Sequence, residues 1–85
     1  MPVYVALIRK DPESSYGVEF TDFPGCISGG DTLDEALAGA KEVLAMHIRG
    51  MQEDGETIPE PSSIEAILAR EDVEGATPIM VELAL

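Results

Sequence analysis

The segment from Tyr16 to Asp54 restricts the fold of this chain most strongly. Its alternating apolar residues over Tyr16–Phe20 predict a strand. The four residues Asp22 to Gly25 predict a type II turn, because proline fixes φ at one central position and glycine supplies positive φ at the next. Cys26 to Gly29 then predicts a short edge strand with Ile27 directed inward, ended by two glycines.

A long amphipathic helix follows the two glycines. Thr32 is the predicted N-cap, and Glu35, three residues later, completes a capping box. Asp54-Gly55 predicts the helix end, with glycine as the left-handed stop. The predicted buried face repeats at intervals of three and four residues: Leu33, Ala36, Leu37, Ala40, Val43, Leu44, Ile48 and Met51.

Further strands are predicted at the two ends of the sequence. Val3–Ile8 is apolar on both faces, which is typical of a central strand, and turn residues from Asp11 to Ser15 connect it to the next strand as a hairpin. Ser62 and Glu65 predict a second capping box that starts a short helix through Arg70. After a loop, Ile79–Leu85 alternates as a final strand.

These elements predict a single domain over residues 1–85 with the order β-β-β-α-(short α)-β. A right-handed crossover would place the last strand beside the first and parallel to it. We therefore expect an α+β fold with a mixed four-stranded sheet of order 3-2-1-4. The helices are expected to cover one face of that sheet.

The charge of the chain narrows the possible partners. Seventeen acids against five bases give a formal net charge of −12, and the bases form no run. Since phosphate binding requires clustered cations, direct nucleic-acid binding is not expected, whereas a basic protein would be attracted. The alternative is that the acids only maintain solubility. The sequence has no apolar run of membrane-spanning length, no signal peptide and one cysteine, which together predict a cytoplasmic protein.

Three segments carry a resemblance to a known family. They are Tyr16–Cys26, Gly30–Ala36 with its helix, and Asp54–Ser62, and together they resemble HicB-like antitoxins. The resemblance implies a partial ribonuclease-H-like fold and an antitoxin of a type II toxin–antitoxin system. It also implies a HicA-like partner, a small basic ribonuclease whose active site the antitoxin covers. Many members carry a C-terminal DNA-binding segment; because no basic helix or ribbon follows the last strand, a short form without that segment is expected.

Catalysis by this chain is not expected. A nuclease of ribonuclease-H type needs clustered carboxylates on the sheet, and Val3–Ile8 carries no acid. His47 has no second histidine and Cys26 has no CxxC partner, so both are interpreted as packing residues and neither a metal nor a cofactor is expected. The alternative of a degenerate nuclease-like hydrolase would need an acidic triad that the sequence does not suggest.

The predicted function is therefore a protein-binding module that self-associates, with a dimer as the expected form. The candidate partner-binding residues are Glu19, Asp22 and an exposed Phe23, although Asp22 and Phe23 are most simply explained as part of a turn. The alternative function is a stand-alone HicB-like oligomeric adaptor or structural protein without a toxin partner.

Overall fold

The computed structural model describes residues 2–10, 15–70 and 75–83. Within these residues four strands and two helices occur, and their order, three strands, a long helix, a short helix and a last strand, confirms the predicted one. Their bounds are β1 Val3–Lys10, β2 Tyr16–Phe20, β3 Ile27–Gly30, α1 Leu33–Glu53, α2 Ile64–Leu68 and β4 Thr77–Glu82. Most of the predicted turn over Asp11–Ser15, part of the loop before β4 and the last two residues lie outside the described residues.

The strand order is β3-β2-β1-β4, as predicted, and β1 is a central strand. The direction of β4 was predicted wrongly. It runs antiparallel to β1, with Val3 opposite Glu82 and Ile8 opposite Thr77, so the three described strand pairings are all antiparallel rather than mixed.

The path between β3 and β4 explains the reversal. Helix α1 starts after Gly30, and by His47 it has reached the end of the sheet where Phe23 lies. The chain then passes around that end, where Tyr4 contacts Pro59, and returns along the opposite face through α2. Because the connection traverses the sheet twice, β4 enters in the direction opposite to that of a single crossover.

The two helices therefore lie on opposite faces, which corrects the expectation that both cover one face. The larger core joins α1 to the side of β1 that bears Tyr4, Ala6 and Ile8. On the other side of the strand, Val5 and Leu7 pack against Ile67 of α2. This arrangement accounts for the apolar residues on both faces of β1.

Local sequence signals set the bounds of α1. The Thr32 hydroxyl accepts a hydrogen bond from the Glu35 N–H, while the Glu35 carboxylate accepts one from the Asp31 N–H, one residue earlier than in the standard capping box. At the other end Gly55 adopts φ 72°, and its N–H donates to the Gln52 carbonyl. Both ends of the helix are thus confirmed.

Helix α1 approaches β3 closely. A Cβ atom on Gly39 would lie 2.6 Å from the Ser28 hydroxyl, so glycine at this mid-helix position permits the contact. The predicted buried face of α1 is confirmed at Ala36, Ala40, Leu44 and Ile48. Leu33, predicted to be buried, is 45% exposed.

The start of α2 was placed one residue too early. Ser63, not Ser62, is the N-cap, and its hydroxyl accepts a hydrogen bond from the Ala66 N–H. Ser62 is engaged elsewhere, by Asp22. Only Ser62 has a glutamate three residues later, so the capping-box pattern indicated the wrong serine, and the long-range hydrogen bonds to Asp22 engage Ser62 instead.

Candidate protein-interaction surface

An aromatic cluster lies where β1, the β2–β3 turn and α1 meet. The Phe23 ring packs edge-on against Tyr4, with ring centroids 4.8 Å apart, and against His47 at 5.6 Å. Phe23 is only 2% exposed. The turn has the predicted type II form but spans Phe23–Cys26, one residue later than predicted, with Gly25 at φ 86° and the Cys26 N–H donating to the Phe23 carbonyl at 2.9 Å.

Two side chains fasten the segment after α1 to this corner of the sheet. The Asp22 carboxylate accepts hydrogen bonds from the Ser62 N–H, at 2.9 Å, and from the Ser62 hydroxyl. The Tyr4 hydroxyl donates to the Pro59 carbonyl at 2.7 Å. Burial raises the pKa of Tyr4, and the nearby carboxylates of Asp22 and Glu60 raise it further.

Helix α2 covers only part of its face of the sheet. The part of that face next to β3 remains open. Glu19 forms an ion pair with Arg9 there, and both side chains are more than one third exposed. Ile27 of β3 lies opposite Glu19 in the register and is 66% exposed. A groove of about 280 Å³ runs between these residues, bordered also by Gly17, Val18 and Ser28.

The structure separates the three residues predicted to bind a partner. Glu19 lies on the open face with its carboxylate paired to Arg9. Asp22 is half-buried and holds Ser62. The expectation of an exposed Phe23 is wrong, because the ring fills the core between Tyr4 and His47.

The exposed apolar residues are different from those expected. Ile27, predicted to point inward, is exposed because Cys26, its neighbour in the chain, takes the inward position at 1% exposure. Met46 and Met80 are 60% and 66% exposed, and Leu68 is 45% exposed. A one-residue shift in strand alternation exchanges the two faces of the strand. Alternation with Cys26 rather than Ile27 as the inward residue would therefore have predicted the observed faces from the sequence.

The structure confirms the packing interpretations of Cys26 and His47. Burial raises the pKa of the Cys26 thiol, which disfavours the reactive thiolate. His47 is half-buried against Phe23. Within the described residues, no group of three or more His, Cys, Asp or Glu side chains could hold a metal ion. Over the same ranges, neither helix has the length and apolarity to cross a membrane.

Comparison with known proteins places this fold among the antitoxins. The model of the HicB-like antitoxin of bacterial toxin–antitoxin systems matches residues 4–85. An uncharacterised 14.9 kDa protein of Haemophilus phage HP1 is 40% identical over 83 residues, which cover 98% of this chain and 62% of that protein.

Two solved structures resemble the fold closely. The antitoxin HicB of Burkholderia pseudomallei superposes with a TM-score of 0.89 at 31% identity, over 100% of this chain and 65% of that one. A chain of the HicA3 and HicB3 toxin-antitoxin complex superposes with a TM-score of 0.81 at 26% identity, over 98% of this chain and 99% of that one. This chain spans less than two thirds of the phage protein and of the Burkholderia antitoxin.

The fold defines a small α+β domain built on a four-stranded antiparallel sheet. The chain belongs to the HicB-like antitoxin family of bacterial toxin–antitoxin systems.

Proposed function

We propose that this chain is an antitoxin that neutralises a HicA-like ribonuclease by binding it and covering its active site. The observation that carries the proposal is the match of the chain, over nearly its whole length, to a chain in the HicA3 and HicB3 toxin-antitoxin complex. The family match over residues 4–85 supports the same role.

Electrostatics support a basic protein as the partner. The net charge of −12 attracts a basic protein over a distance limited by screening, about 8 Å at physiological ionic strength. Glu19 is proposed to face the partner, since it is exposed beside Ile27 and the groove. Asp22 adds negative charge while holding Ser62, and Phe23 supports the surface from within the core.

The same composition supports a role without catalysis or direct nucleic-acid binding. The segment Val3–Ile8 carries no carboxylate that could hold a catalytic metal at the centre of the sheet. The five bases form no cluster in the sequence that could replace counterions along a phosphate backbone. We propose that the chain acts in the bacterial cytoplasm, where a toxin that cleaves RNA would meet its substrate.

A second candidate is an oligomeric adaptor without a toxin. Exposed apolar residues on the sheet and on α2 favour self-association, since Met80 is 66% and Leu68 is 45% exposed. Self-association and toxin binding are compatible, so the adaptor differs from the antitoxin only in lacking the toxin. The toxin assay separates the two candidates.

The test mixes the purified chain with the HicA-family toxin encoded in the same genome. We expect one co-eluting complex, loss of RNA cleavage by the toxin, and association that slows as salt increases. Glu19→Lys should slow association, whereas Glu56→Lys, an equal charge change at another exposed site, should have a smaller effect. Failure to form a complex, or metal-dependent RNA cleavage by the chain itself, would refute the proposal.

A further inference from the structure

Strand β3 lies at one edge of the described sheet. Among the described residues β3 pairs only with β2. The Phe20 N–H donates to the Cys26 carbonyl, so these two residues form a hydrogen-bonded pair. Along an antiparallel ladder, hydrogen-bonded residue pairs alternate with pairs whose backbone groups point away from the neighbouring strand. By this alternation Ser28 bonds to β2, whereas the N–H and C=O groups of Ile27 and Gly29 point away from the sheet.

This edge lacks two side-chain features that often block strand addition, namely proline and charge. β3 reads Ile-Ser-Gly-Gly, with neither a proline nor a charged residue. The opposite edge differs, because β4 contains Pro78, which has no N–H to donate, and the exposed acid Glu82. The β3 edge is therefore the more receptive of the two.

Both flanks of the β3 edge offer side chains to an added strand. On the open face Ile27 is 66% exposed and borders the groove that contains Glu19 and Arg9. On the other face α1 lies over β3, as the close approach of Gly39 to Ser28 requires. An added strand would contact the groove on one side and α1 on the other.

The side of α1 nearest this edge carries an acidic stripe. Glu42 and Met46 follow Glu35 by two and three helical turns, so the three residues project in one direction. Gly39, which lies against Ser28 of β3, is about one turn from Glu35, so this side of α1 adjoins β3. All three residues are exposed, Met46 by 60%. The edge is thus bordered by two carboxylates and one flexible apolar side chain.

This charge pattern selects the occupant. If a second copy of this chain paired its β3 antiparallel to this one, the two α1 helices would lie side by side. Their acidic stripes would then face and repel each other. A strand with lysine or arginine on its α1-facing side would instead meet opposite charge. Its other side would place apolar residues against Ile27 and the groove.

We propose that the β3 edge is the docking site for an extended basic strand of the partner protein, which continues the sheet by strand addition. Backbone hydrogen bonds to Ile27 and Gly29 provide the pairing, and the acidic stripe of α1 (Glu35 and Glu42, with Met46) selects a basic strand. This inference rests on the proposed function, since the partner is the basic toxin of that proposal.

The first test measures amide hydrogen exchange in the chain alone and in its complex with the HicA-family toxin. The amides of Ile27 and Gly29 should exchange about tenfold more slowly, or slower still, in the complex. Protection confined to β4 in the complex would overturn the inference. Protection of Ile27 and Gly29 that grows with the concentration of the chain alone would also overturn it, by showing that a second copy occupies the edge. If no complex forms, the proposed function fails as well, and that result is distinct from a complex with an unprotected edge.

The second test uses variants. Ile27→Pro removes one outward N–H and should weaken toxin binding about tenfold or more, whereas Ile27→Val keeps the N–H and should bind nearly normally. The variant E42K should weaken binding more than E56K, which changes the net charge equally at an exposed site outside the stripe. Circular dichroism confirms folding of each variant, and equal binding by E42K and E56K would contradict the role of the stripe.

Discussion

The hydrogen bonds between Asp22 and Ser62 lead to a quantitative prediction about stability. Asp22→Ala removes both hydrogen bonds, while Ser62→Ala removes only the one from the hydroxyl. A charge-assisted hydrogen bond contributes about 1.5–3 kcal/mol, and solvent at this half-buried pair reduces that to roughly 1 kcal/mol each. We therefore expect losses of about 2 kcal/mol for Asp22→Ala, about 1 for Ser62→Ala and about 2 for the double variant, a coupling of roughly 1 kcal/mol.

Urea denaturation followed by far-ultraviolet circular dichroism measures these values, since the chain has no tryptophan to report by fluorescence. Glu56→Ala is the matched control: it removes an exposed carboxylate just after α1 and should change stability by less than about 0.5 kcal/mol. Additive losses in the double variant, or a wild-type midpoint for Asp22→Ala, would refute the role of Asp22 as a fastening residue.

Leu44→Ala should lower the free energy of unfolding by about 2–4 kcal/mol because Leu44 is fully buried, whereas Leu37→Ala should lower it by only about 1 kcal/mol because Leu37 is half-buried. Equal denaturant midpoints for the two variants would contradict this prediction. Tyr4→Phe should cost about 1 kcal/mol through the lost bond to Pro59. Because folding raises the pKa of Tyr4, the stability that its neutral hydroxyl contributes is complete below about pH 10 and is lost as the pH rises through the folded pKa. Above about pH 10 the urea midpoint should therefore fall less steeply with pH for Tyr4→Phe than for the wild-type chain. Light scattering should give a mass above that of a monomer at high concentration, and Met80→Lys should lower it; a monomer at all concentrations would refute self-association.

The sequence predicted the elements and the strand order because their signals are local. The apolar faces of Val3–Ile8, the cap at Thr32 and the stop at Gly55 each depend on a few neighbouring residues. The direction of β4 depends on how often the connection crosses the sheet. Helix α2 was recognisable, but the face it covers is set by the packing of Ile67 against Val5 and Leu7, which residues far apart in the sequence determine.

The candidate site was predicted less well than the fold. Phe23 was expected to be exposed and Ile27 buried, and the structure reverses both. In a tight turn followed by a four-residue strand, alternation alone does not fix which residues face inward. The fastening role of Asp22 was also inaccessible from the sequence, because its partner Ser62 lies 40 residues away.

The pairing of β4 with β1 has a consequence for how this chain folds. The segments from β1 through α1 are neighbours along the chain, whereas β4 joins β1 across nearly the whole sequence. Contacts between distant residues form slowly, so β4 is expected to dock last. Until then β1, the most apolar strand, is itself an exposed edge with both faces incompletely covered. An unprotected edge of this kind pairs readily with other chains, so the period before β4 docks is when aggregation most threatens this protein.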